Sequence, residues 1–355
     1  MRRRATDGVP LEELVRRTIS VCQHAEEAFP RQGPGRKPTI PDWVLAVMIM
    51  VGVMLRKKTK AAQLVWWRQH AADFARWLPR QCMPSRSTFY ERYRRVHRLL
   101  QQAIVLQGQH AVRRGWADPE CVAADKSLIA GRGRLWQARD RRRGRVPRRV
   151  DTDTTWGYSQ YDGWVQGYCY EVTVTAPRSG VVWPLAASVD TASRSEQKMI
   201  LQKIPLLPRR TKFLLLDGGY DSNVVAEAVE WHNGRRTGRR CLCPAVPRPT
   251  TGKKPKSIKQ QTREREYHRR LRDERKRFFC SSRGQALYSR RNVCAEPFNS
   301  RLKHLFDLND RAWHWGLENN CTMISAAICA YQILLAHNHS KGRPVANLQC
   351  LLDAL

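Results

Sequence analysis

Three acidic residues, Asp125, Asp217 and Glu296, stand where chemistry is most readily built. Asp217 closes the run Lys212-Phe213-Leu214-Leu215-Leu216-Asp217-Gly218-Gly219. Four successive apolar residues read as an inner strand covered on both faces. An acid at the C-terminal end of such a strand lies where sheets flanked by helices keep their sites. The two glycines leave room beside it. The plainer alternative is that Asp217 is a helix N-cap. Asp125 closes a second short buried strand, Cys121 to Asp125, and Glu296 falls in a segment, Tyr288 to Phe306, that reads as a helix over its second half. With the two strands side by side and the helix packed across them, three carboxylates meet. Together they repel, and each pKa rises unless a cation sits among them. Hard oxygen ligands suit Mg²⁺ or Mn²⁺. Two such ions support an in-line phosphoryl displacement.

The elements that must position these acids follow from periodicity. Residues 10–29, Asp42 to Leu55 and Lys60 to Trp77 read as helices. A fourth helix runs from a Thr88–Glu91 capping box to about Arg114 and carries Arg94 and Arg95. The set reads either as a helix-turn-helix reader or as a bundle with a solvated basic face. Gly115 to Pro119 is a boundary, after which strands appear at Cys121–Asp125, Gly167–Thr175, Val181–Val189, Lys212–Asp217 and Arg240–Val246. Pro184 confines the third of these to an edge or a bulge. Helices are expected at Ser193–Ile204, with Ser193 and Glu196 as a second capping box, at Ser222–His232 and at Cys321–His337. Asp151 and Asp153 start a hairpin, Trp156 and Trp164 pack, and His337-x-His339 is a solvated helix end. The fold class is α/β, a mixed sheet flanked by helices and preceded by an all-α N-terminal domain. The divisions are residues 1–116, residues 117–340 with a basic insertion at about 248–287, and a tail over 341–355.

Of 355 residues, 64 are basic and 31 acidic, a net charge of +33. That balance favours a polyanionic partner: DNA, RNA or an anionic membrane surface. Residues 248–283 hold 14 basic against 4 acidic residues, net +10, and read as a solvated helix, a linker or an arm tracking phosphates. Eleven cysteines without a repeated CxxC pattern suit a reduced compartment, and Cys241-x-Cys243 with Cys280 or His268 has poor spacing for zinc. Met1-Arg2-Arg3-Arg4 has no apolar core behind it, unlike a signal peptide. The run Trp43 to Leu55 is too short to cross a bilayer, so no membrane role is expected.

Several segments together resemble a known family. They are Ala124-Asp125-Lys126-Ser127, Asp151-Thr152-Asp153-Thr154-Thr155-Trp156-Gly157-Tyr158-Ser159, Gly163-Trp164-Val165-Gln166-Gly167-Tyr168, Asp217-Gly218-Gly219-Tyr220-Asp221-Ser222 and Glu296-Pro297-Phe298-Asn299-Ser300-Arg301-Leu302-Lys303. In this order they are similar to bacterial insertion-sequence transposases of the DDE type, families four and five, which have a ribonuclease-H-like catalytic core. Gly35-Arg36-Lys37-Pro38-Thr39-Ile40 and Pro84-Ser85-Arg86-Ser87-Thr88-Phe89-Tyr90 are similar to that family's helical region, so the likeness covers about residues 33–310.

The resemblance implies a metal triad of Asp125, Asp217 and Glu296 with Mg²⁺ or Mn²⁺, two ions, acting on DNA. It implies cleavage at the ends of an element and strand transfer of the 3′-hydroxyl by a homodimer or higher oligomer, in a cytoplasmic, nucleoid-associated setting. It also implies phosphate contacts from a Tyr–Arg–Glu–Lys signature. Lys303 falls seven positions after Glu296 as that signature asks, on the same helical face. The expected tyrosine and arginine positions hold Ser289 and Asn292, with Tyr288 and Arg291 one residue earlier. Either the segment enters its helix with an extra residue, or Arg291 does not point at DNA. Lys126 is a surface or phosphate contact. Two other functions remain open: a silent, domesticated DNA-binding protein, and a metal-dependent nuclease that never joins strands.

Overall fold

The computed structural model describes residues 11–30, 38–79, 83–233, 235–245 and 259–355. Five helices come first: α1 (Leu11–Ala28), α2 (Asp42–Met54), α3 (Lys60–His70), α4 (Arg86–Tyr93) and α5 (His97–Arg113). Twelve of the thirteen residues of α2 are buried, as a helix apolar all round requires. The long helix expected from Thr88 to Arg114 is two helices. Ser85, not Thr88, caps α4, its Oγ accepting from the Thr88 N–H at 3.2 Å. The break falls over Arg94–Val96, next to side chains that turn inward. Arg92 donates to the Ile40 carbonyl at 2.6 Å and pairs with Asp42, while Tyr93 is fully buried.

The second part is built on β1 (Cys121–Ala130), α6 (Ala138–Arg142), β2 (Thr155–Ser159), β3 (Gly163–Thr175), β4 (Pro184–Thr191), α7 (Glu196–Leu201), β5 (Phe213–Leu215) and α8 (Asn223–Glu230). It continues through a small hairpin of β6 (Trp231–His232) and β7 (Arg235–Arg236), then β8 (Arg240–Leu242), α9 (Lys259–Cys280), α10 (Ser282–Leu305), α11 (Leu317–Ser340) and α12 (Gln349–Asp353). The main sheet has six strands in the order β2-β3-β1-β5-β8, with β4 beside β2 on the outer edge of β3. β1 runs antiparallel to β3 and parallel to β5, and β5 runs parallel to β8. This mixed sheet, flanked by helices and preceded by helices, is the ribonuclease-H-like arrangement. Pro184 opens β4 on the edge of the sheet, beside a register shift at Thr173/Val174, where no ladder N–H is needed.

Strand alternation assigns the two faces. Cys121 and Ala123 of β1, with Phe213 and Leu215 of β5, join the core formed by α1, α2, α5, α10 and α11. Val122, Ala124, Leu214 and Leu216 point the other way, onto Ile200 of α7 and Val225 and Val229 of α8. α11 is long and apolar enough to cross a bilayer, yet it is buried inside the protein. Its Gln332 Nε2 donates to the carbonyls of Ile104 and Pro184, at 2.9 and 2.8 Å, tying the helical region to the sheet edge. Asp151 and Asp153 start the turn into β2, and they also receive the first N–H groups of α11. Gly316 N donates to Asp151 Oδ2 at 3.1 Å and Leu317 N to Asp153 Oδ2 at 2.9 Å. His337 is buried beside Glu13, at 3.6 Å, rather than solvated, because α11 extends to Ser340.

On the α7 face, one polar cluster is sealed inside. Glu171 of β3 accepts from Lys203 Nζ at 2.8 Å and from the Tyr220 hydroxyl at 2.8 Å, and Lys203 also donates to the Met199 carbonyl at 3.0 Å. The carboxylate and the ammonium are 0% and 2% exposed, so each is the other's charge partner inside the protein. Because Tyr220 belongs to the turn that follows Asp217, this pair also fixes that turn. Lys203→Met should therefore cost about 3–5 kcal/mol in urea unfolding. Adding Glu171→Met should return part of the loss; a double variant as unstable as the single one would contradict the pairing.

Candidate active site

The parallel ladder between β1 and β5 pairs Cys121 with Phe213, Val122 with Leu214 and Ala123 with Leu215, and there it stops. Two residues further along each chain stand Asp125 and Asp217. Period-two alternation turns both acids toward the face covered by α10. β1 does not end at Asp125 as its sequence suggests. Its antiparallel ladder with β3 continues to Ala130↔Gly167, so Asp125 is held mid-strand while its β5 neighbour has already turned away. Beyond Leu215 the chain enters a single 3₁₀ turn, Gly218–Tyr220. Asp217 caps it, Oδ1 accepting from Gly219 N at 2.9 Å. The N-cap reading and the site reading of Asp217 thus describe the same residue.

α10 lies across this gap and supplies three side chains to it. Glu296 is one, followed by Pro297, which removes one helical hydrogen bond at that turn. Asn299, one turn on, donates from Nδ2 to Asp125 Oδ2 at 2.9 Å. Arg291 enters from the preceding turns. Its Nη2 lies 2.7 Å from Asp125 Oδ1 and 3.3 Å from Asp217 Oδ2, and its Nη1 lies 3.3 Å from Glu296 Oε1. One guanidinium is thereby shared by three carboxylates, with the arginine side chain 7% exposed. Asn292 and Ser289 are exposed on the helix, while Arg291 points at the acids. Burial raises the Asp125 carboxyl to about 6; Arg291 and the Asn299 hydrogen bond oppose this, and Asp217 and Glu296 add to it.

A fourth carboxylate stands beside these. Glu196 opens α7, and burial together with the Asp217 charge raises it to about 7. The capping box expected of Ser193 and Glu196 does not form. Ser195 precedes the helix without a side-chain cap, and Ser193 N donates to Thr155 Oγ1 at 2.8 Å instead.

The four acids open into a cleft of about 940 Å³. Lys303 lines it seven residues beyond Glu296, and burial lowers its pKa. The β2–β3 hairpin forms another part of the wall, with Tyr158 and Tyr161. Trp164, expected to pack, is 68% exposed and meets Tyr158 edge-on at 5.5 Å. Lys126 also lines the cleft, but its Nζ donates to the carbonyls of Ala192 and Arg194 at 3.0 and 2.8 Å. Tyr288 is half-buried against Phe279 at 4.9 Å, near Arg291 and Asp217. Arg94 and Arg95 are exposed in the turn between α4 and α5 and do not line this cleft.

Basic residues of α9 turn onto α8 and the turn before it. Arg272 pairs with Asp221 at 2.6 Å, His268 with Glu227 at 2.9 Å, and Arg275 donates to Asn223 Oδ1 at 2.9 Å. The front of the basic stretch, 246–258, lies outside the described residues. Cys243 donates from Sγ to the Asp217 carbonyl at 2.8 Å, with its pKa raised by burial.

Asp125, Asp217 and Glu296 converge on a cation already, so their donor set and charge suit Mg²⁺ or Mn²⁺. Among the described residues no three or more His, Cys, Asp or Glu form a ready-made metal cage, because the acids meet at the guanidinium rather than at one another. The arrangement can gather a divalent cation and an anionic ester in one cleft, provided Arg291 yields its place.

The raised carboxyls set a pH dependence. The Asp125 carboxyl, ordinarily near 3.8, titrates at about 6 when folded, so folding takes up a proton between those values. Stability is thus favoured at the acid end and lost as pH rises through about 6, a difference of about 2–3 kcal/mol from this group. Urea titrations in EDTA from pH 4.5 to 7 should show that fall, and Asp125→Asn should make it shallower, leaving the part that Glu196 contributes. An equally steep fall in the variant would contradict the assignment.

A family model described as the transposase DDE domain matches residues 116–333 of the chain. No curated protein and no solved structure matches it.

Proposed function

The chain belongs to the DDE transposase family, and from that premise we propose that it cleaves the ends of an insertion sequence and transfers the freed 3′-hydroxyl into target DNA. Asp125, Asp217 and Glu296 are the acids of the reacting centre in this reading. One observation carries it: Asp125 and Asp217, each two residues past the last β1–β5 pair, and the helical Glu296 all meet a single cationic group, at 2.7 to 3.3 Å. Those three residues would hold two Mg²⁺ or Mn²⁺ ions, which when bound activate the attacking hydroxyl and offset charge on the leaving oxygen.

The chain's own side chains do the positioning. Asn299 orients the Asp125 carboxylate through its hydrogen bond. Arg291 neutralises the acids until a cation replaces it, and it is then free to pair with a phosphate. Lys303 extends from the same helix along the cleft toward the backbone of bound DNA. Tyr158, Tyr161 and Trp164 offer exposed rings at the cleft, on which unpaired bases can stack. The helices before residue 117, with Arg94 and Arg95 exposed, serve as the DNA-end reader. Pairing two ends calls for a second copy of the chain.

The test is Mn²⁺-dependent cleavage of DNA carrying the ends that flank the gene. The parent should nick at the ends and yield a joined product. Asp125→Asn, Asp217→Asn and Glu296→Gln should each bind DNA but slow cleavage about a thousandfold or more. Nicking that never gives a joined product would leave a metal-dependent nuclease. Binding without cutting by the parent would leave a silent DNA-binding protein.

A further inference from the structure

Arg291 balances Asp125, Asp217 and Glu296, but it makes no ion pair with Glu196. Among the described residues no Lys, Arg or His forms an ion pair with it. Lys126 is close enough to lower its pKa somewhat, yet the Lys126 ammonium is committed to two backbone carbonyls. The usual structural duty of a glutamate at this place, reaching back to cap its own helix, is not performed.

The side chain instead reaches over Gly219. A Cβ at Gly219 would collide with Glu196 Oε2 and lie 3.1 Å from Asp217 Oδ1. The two carboxylates therefore share one notch, and a side chain at 219 would push the Glu196 carboxylate out of its present position. The notch opens into the same cleft as Asp125 and Glu296. The position of Glu196 is set from behind. α7 leads into Lys203, whose buried pair with Glu171 is fixed in turn by Tyr220, the last residue of the turn that Asp217 caps. Two carboxylates held together this way repel unless a cation lies between them.

We propose that Glu196 is a fourth carboxylate of the divalent-cation site, acting beside Asp217 from α7. The proposal rests on the metal reading given above and extends it. Asp125, Asp217 and Glu296 alone offer few oxygens for two hard cations, each of which takes about six ligands. Glu196 adds a ligand and a charge on the side of Asp217 away from Arg291.

Mn²⁺ is titrated calorimetrically into the full chain without DNA, and melting is followed in EDTA and in Mn²⁺. Glu196→Gln keeps the shape of the side chain and removes its charge. The variant should lose one equivalent of Mn²⁺ or bind it about tenfold more weakly or worse. In EDTA its Tm should equal or exceed that of the parent, because an unbalanced charge is gone, and the rise in Tm on adding Mn²⁺ should shrink. A merely structural glutamate would instead give a lower Tm in EDTA with full Mn²⁺ uptake, and that result overturns the proposal. Asp217→Asn separates the two levels. If it loses Mn²⁺ while Glu196→Gln keeps it, only the role of Glu196 falls. If the parent and both variants take up no Mn²⁺, the metal reading falls as well.

Discussion

Arg291 and the three carboxylates around it are the interaction on which the catalytic half depends. Asp125 and Asp217 come from neighbouring strands and Glu296 from the helix across them, so their mutual repulsion would push apart the elements that carry them. A guanidinium at 2.7 to 3.3 Å from all three turns that repulsion into a tie between β1, β5 and α10. Its planar fork presents several N–H groups in fixed directions to these oxygens. Burial makes the tie stronger and also makes its rupture costly, about 3–5 kcal/mol where one partner of a buried pair is removed. In the proposed reading, a divalent cation held by these acids would take the place that the guanidinium now fills.

The rest of the sheet is arranged so that this cluster can exist. β3 pairs with β1 well beyond Asp125 and keeps that acid rigid, while β5 stops at Leu215 and opens space beside it. Glu171, Lys203 and Tyr220 anchor the Asp217 turn from the other face of the sheet. Around this small pocket of negative charge the chain carries a net +33. A charge of that size favours a polyanion at the surface as a whole, and the cleft that holds the acids is itself lined by Lys126, Arg291 and Lys303.

Much of this was legible in the sequence because burial leaves a pattern. The apolar runs ending at Asp125 and Asp217 marked two neighbouring strands, and Pro184 marked an edge. Where polar residues lie inside an element, the pattern fails. Lys126 and Ser127 interrupt the apolar run of β1, although the ladder to β3 carries the strand on to Ala130. Glu196 was hidden because Ser-x-x-Glu spacing is shared by a capping box and by a carboxylate aimed elsewhere. Asn299 drew no separate reading from its sequence, although it is buried on the face that meets Asp125. The direction of Arg291 could not be read from spacing, since the phase of a helix is fixed by what it packs on.

The most direct measurement is Mn²⁺ affinity of Arg291→Gln against the parent, by calorimetry without DNA. If the guanidinium occupies the cation's place, the variant binds Mn²⁺ more tightly, although its metal-free form is less stable. Equal or weaker binding by a folded variant would mean that Arg291 helps to build the cation site rather than filling it, and would contradict the exchange of arginine for metal.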